Sequence, residues 1–128
     1  MIIDCHCHAG KGDGLTGPWD TAAPLAKYLR RARAAGINRT VLFAAFHSDY
    51  AAANREVAQI VKSNPRRLYG FAFINPARDR GRIFAMIKQA VTQFGFCVIM
   101  FLRLDARITR LVSDSAESFS LSVPYTLF

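Results

Sequence analysis

Apolar and polar positions follow two rhythms along this chain. Residues 40–46 (TVLFAAF), 68–74 (LYGFAFI) and 97–102 (CVIMFL) are nearly continuous apolar runs. Such runs predict strands covered on both faces, as in a parallel sheet. Between them the apolar residues recur every three or four positions, the period of a helix with one buried stripe. Leu25, Tyr28, Leu29, Ala32 and Ala35 form the first stripe, with Asp20 or Thr21 as its cap and Gly36 as its stop. Ala53, Val57, Ile60 and Val61 form the second, capped by Ser48 or Asp49 and ended by Asn64-Pro65. The third helix is expected over 79–94, with Ile83, Ile87, Ala90, Val91 and Phe94 inward and Gly95 after it. Asp105 caps a fourth, with Ile108, Leu111, Val112, Ala116 and Phe119 inward. Residues 122–127 read as a fifth strand.

The opening segment, residues 2–8, has a different pattern. IIDCHCH reads as a strand ending in His-x-His. Residues two apart share a strand face. Plain alternation therefore sends His6 and His8 to one side, with Asp4 behind them, and Cys5 and Cys7 to the other. Two imidazoles converging from one strand end suit a divalent metal, most often zinc. The four residues 5–8 cannot all surround one ion, because their faces alternate. His47 ends the second strand at the same end of the sheet, where it can line the same pocket. Residues 9–20, rich in glycine, form a long loop directly after His8, as many active-site loops do. The loop lacks the G-x-x-x-x-G-K-[ST] order of a phosphate-binding loop.

Strand and helix alternate four times before a closing strand. This order predicts right-handed βαβ units and a parallel α/β sheet. The 128 residues form one domain, residues 1–128, about half of the ~250 that a full (β/α)₈ barrel takes. The expected fold is a partial TIM barrel of about five strands and four helices.

Composition narrows the function classes. With 52% hydrophobic and 20% charged residues the chain is globular. No apolar run approaches the ~20 residues of a membrane span, and no basic segment precedes the first apolar residues as in a secretory signal. A cytoplasmic protein with no membrane partner is expected. Three cysteines make no disulfide framework. The net charge of +8 invites a nucleic-acid reading. However, the arginines are scattered over helix surfaces, with no aromatic interleaving, and no specific nucleic-acid partner is expected.

The run MIIDCHCHAG resembles the opening of the amidohydrolase-related (amidohydrolase-2) group of the metal-dependent TIM-barrel amidohydrolases. Asn54-Arg55-Glu56 and the run 64–71 (NPRRLYGF), followed by Asn75-Pro76, resemble that group's second helix and third strand. The resemblance covers residues 1–96 well and 97–125 more weakly. It implies a metal-dependent hydrolase that attacks a small organic substrate with metal-activated water, or a decarboxylase using a similar site. His6 and His8 would be metal ligands, and Asp4 a residue orienting one of them. The family's polar positions at the end of the fourth strand correspond here to Met100 and Leu102, which are apolar. Its later histidine and aspartate have no counterpart in this sequence. The reading is therefore of roughly the N-terminal half of such an enzyme, with a weakened zinc site. Independent activity is not expected of it. Open sheet edges would favour a homo-oligomer. Two alternatives stand beside this: a non-catalytic remnant or scaffold that self-associates, and a basic nucleic-acid-binding module.

Overall fold

The structure, a computed structural model, describes residues 1–17, 22, 25–96 and 98–101, the last four by backbone alone. Its elements follow one another as β1 (Ile3–Ala9), α1 (Leu25–Ala34), β2 (Arg39–Ala44), α2 (Tyr50–Ser63), β3 (Leu68–Ile74), α3 (Ile83–Thr92) and β4 (Val98–Phe101). The four strands form one parallel sheet in the order β1-β2-β3-β4. The expected βα repeat is thus present. The expected fourth helix and fifth strand lie outside the described residues. Among the described residues no helix is long and apolar enough to cross a membrane.

The core sits on both sides of β2. Residues 40–44 of this strand are all buried, with Leu42 and Phe43 essentially sealed from water. Phe43 meets Phe71 and Phe73 edge-on on one face of the sheet. Val57 and Ala53 of α2 join the buried cluster, as do Met86 and Ala90 of α3. At Gly70 a side chain would force Phe96 to shift, because a Cβ there would lie 2.0 Å from Cε1 of that ring. The phenyl ring fills the place that the glycine leaves open.

Helix ends follow local chemistry. Gly36 (φ +73°) closes α1, with Ile37 N–H donating to Ala32 O and Gly36 N–H to Arg33 O. This paired pattern is the Schellman stop, which needs a left-handed residue. Ala35 therefore lies past the helix and is exposed, and does not extend its stripe. Asp49 caps α2 by accepting from the amides of Ala51 and Ala52. Helix α3 spans Ile83–Thr92, so it begins with its apolar stripe and later than the expected start at residue 79. Asp79 is fully buried and draws the preceding turn inward: it accepts from Asn75 N–H at 2.8 Å and pairs with Arg82 at 3.0 Å.

Candidate metal-binding site

The end of β1 is irregular. Ile3 and Asp4 register with Arg39 and Thr40, while Cys7, His8 and Ala9 register with Leu42, Phe43 and Ala44. Three steps along β1 match two along β2, so one extra residue bulges out between Asp4 and Cys7. A bulge re-aims the side chains beyond it. His8 consequently shares a face with Phe43, whereas Asp4 shares the opposite, helix-facing side with Thr40. This corrects the expectation from alternation that Asp4 stands behind the histidines on their own face. The extra residue reverses the parity.

His6 and His8 come together at this strand end. Their Nε2 atoms are 3.1 Å apart. His6 lies against the Phe43 ring at 4.8 Å, and His8 stacks on Phe46 at 5.2 Å. His8 Nδ1 is 2.7 Å from the carbonyl oxygen of Ala44, so it carries the proton and donates it there. That bond leaves His8 Nε2 as the ring's lone-pair nitrogen, the tautomer a metal ligand needs. A tetrahedral ion bound by two imidazoles at about 2.0–2.1 Å would hold their nitrogens about 3.3 Å apart, close to the observed spacing. The donor pair thus fits a divalent cation. Among the described residues no cluster of three or more His, Cys, Asp or Glu side chains surrounds such a point.

The other expected residues are placed as follows. Asp4 accepts a hydrogen bond from Tyr28 of α1, whose hydroxyl is also 3.0 Å from Thr40 Oγ1. Its other oxygen accepts from His6 N–H at 3.1 Å. Burial, and then the bond to Asp4, push Tyr28 up to about 12. Burial, with the Asp4 charge adding to it, raises the Cys7 thiol to about 11. His47 occupies the turn between β2 and α2, where its Nδ1 accepts from Asp49 N–H at 2.8 Å and lies 3.6 Å from Asp13. Met100, on β4, pairs in register with Phe73 of β3. Leu102 lies outside the described residues.

The loop after β1 is tied down at two points. Lys11 N–H donates to Glu56 of α2 at 2.8 Å, and Gly10 (φ +94°) passes so close that a Cβ would meet that carboxylate at 2.9 Å. Asp13 accepts from both the amide and the hydroxyl of Ser48, which hold its carboxyl below the usual range. The Ser48 proton therefore goes to Asp13 and not to His47, and this trio is a clamp without the arrangement of a nucleophilic serine. Asn54, also on α2, is buried and forks onto β3, donating to Phe73 O and accepting from Phe73 N–H, both at 2.9 Å. In the Asn54-Arg55-Glu56 segment, one residue thus fastens β3 and another fastens the β1 loop. Sequence reasoning missed Tyr28 as a polar partner because it falls on the apolar stripe of α1. It missed the bulge because one strand's alternation says nothing about its neighbour's register.

No protein-family model matches the sequence, and no curated protein matches it. Solved structures do. The chain superposes on 4-oxalomesaconate hydratase from Rhodopseudomonas palustris with a TM-score of 0.56 at 18% identity, covering 77% of this chain and 40% of that one. It superposes on 2,6-dihydroxybenzoate decarboxylase from Rhizobium with a TM-score of 0.54 at 16% identity, covering 77% of this chain and 37% of that one. The chain thus spans well under half the length of these neighbours. At such identities the likeness is one of fold, and the fold is a partial (β/α) barrel.

Proposed function

We propose that this chain carries part of the metal centre of an amidohydrolase-related enzyme, with His6 and His8 as ligands to a divalent cation, zinc in the first instance. The observation that carries the reading is the 3.1 Å approach of the two Nε2 atoms, with the His8 tautomer set by Ala44 O. The D-x-H-x-H opening and the neighbours, one named a hydratase and the other a decarboxylase, support the same kind of chemistry. A bound divalent ion would supply Lewis acidity toward a carbonyl or a water. His6 and His8 would hold it, their rings packed against Phe43 and Phe46. The loop that follows β1 is pinned by Glu56 and Ser48 next to this strand end. The substrate class is a small organic acid, drawn by a net charge of +8.

A catalytic zinc takes about three protein ligands and keeps an open position. Two are present among the described residues, and this favours a second reading in which the chain holds metal without turnover of its own. Both readings share one test. Purified protein is titrated with zinc and with cobalt, and metal content and cobalt absorption are compared with the His6→Ala/His8→Ala variant. The expected result is uptake by the wild type that the double variant loses. Equal uptake by both would remove the metal assignment.

A further inference from the structure

His6 lies within the bulge, and the bulge has its own fastening. An extra residue in a strand leaves a backbone group out of the ladder. Within the bulge, the amide of His6 donates to a side chain, Asp4 Oδ1, at 3.1 Å. The second carboxylate oxygen of Asp4 receives the Tyr28 hydroxyl proton. Since that proton is committed, the 3.0 Å contact between Tyr28 and Thr40 is made by the Thr40 hydroxyl donating to the Tyr28 oxygen. Thr40 is itself buried on β2, directly in register with Asp4. A relay of Thr40, Tyr28 and Asp4 therefore runs from the helix-facing side of the sheet to the backbone of His6, whose ring points to the opposite face.

We propose that Asp4, held by Tyr28 and Thr40, is a positioning residue that sets the bulge and so aims His6 at His8. It acts through the His6 amide and touches neither imidazole. The inference rests on the metal reading of the histidine pair, but it can fail separately. Hydrogen-bonded partners behind a metal ligand are typically worth about 10–100-fold in metal affinity.

Cobalt affinity is measured for the wild type and for Asp4→Ala, Asp4→Asn and Tyr28→Phe. In parallel, the metal-free proteins are compared by the NOE between the ring protons of His6 and His8. Asp4→Ala is expected to weaken cobalt binding about 10–100-fold and to lose the NOE. Asp4→Asn keeps an oxygen for the His6 amide and should recover most of both. Tyr28→Phe should show a smaller loss of affinity and a weaker NOE. Wild-type affinity and an intact NOE in Asp4→Ala would overturn the proposal. Should that variant fail to fold, the same two results in Tyr28→Phe would overturn it. If cobalt binds the wild type no better than His6→Ala/His8→Ala, the metal reading fails. The NOE arm then still decides whether Asp4 aims the rings.

Discussion

Strands β1 and β3 are each seven residues long, yet their C-terminal ends are finished in opposite ways. At β3 the last three residues are buried and regular, and where β2 no longer pairs with it the buried amide of Asn54 takes over both backbone groups of Phe73. At β1 the strand is interrupted by an extra residue, and the groups left over are satisfied by an exposed, side-chain-built arrangement that gathers two imidazoles. One end is built for cohesion and the other for presentation. The same sheet thus separates stability from chemistry strand by strand, and variants at the two ends should affect different measurements.

Gly70→Ala in β3 should have the largest effect. The added methyl would overlap the Phe96 ring, and the expected destabilisation is about 3 kcal/mol by urea titration, the upper range for overpacking. A second change, Phe96→Leu, should recover part of it. Loss of less than about 0.5 kcal/mol would mean that the ring has room to move, against the dense packing of protein interiors. Asn54→Leu comes next. It strands the N–H and C=O of Phe73 in the core, for an expected cost of about 2 kcal/mol, with cobalt affinity unchanged. A marked fall in affinity there would blur the division between the two strand ends.

Asp49→Ala removes the cap of α2 and should cost about 1 kcal/mol near neutral pH. Burial opposes ionisation of this carboxylate, but the amides of Ala52 and Ala51 and the Arg82 guanidinium prevail and hold it below its usual range. A lowered carboxyl contributes stability above its unfolded pKa and loses it as pH falls through the folded one. The gap between wild type and variant in thermal midpoint should therefore close in acid. A gap that widens in acid would contradict the cap. The smallest effect is a difference in labelling on β1. With the Cys7 thiol near 11, about one in a thousand is thiolate at pH 8. Iodoacetamide with peptide mapping should mark exposed Cys5 well before Cys7, and equal rates would place Cys7 on the open side of the strand.

The parts of this fold that could be read from the residues are those where one short segment decides. The apolar runs of β2 and β3, the Asp49 cap and the Gly36 stop each need only local sequence, and each is found where its pattern places it. The convergence of His6 and His8 was readable for a subtler reason. They lie two apart, and both rings end on the Phe43 side of the sheet, whereas Asp4 lies before the irregularity and changes face. Register belongs to a pair of strands, so no single-strand pattern could reveal the shift. Asp79 was likewise unreadable as a buried group, because its partners Asn75 and Arg82 converge only once the turn is formed. The start of α3 moved with it.

The two tethers on the loop after β1 also bear on how this site can diversify. Glu56 fixes the loop where it leaves the strand, and Ser48 fixes it again at Asp13, so its first turn belongs to the scaffold. A change in the length of the chain that joins Asp13 to α1 leaves both of these tethers where they are. Closing a flexible span becomes only about 0.6 kcal/mol harder for each doubling of its length. Insertions and deletions placed after Asp13 would thus leave the strand end and its two loop tethers as they stand. The segment is an economical place for natural variation, or for a library, to change which molecules reach the strand end.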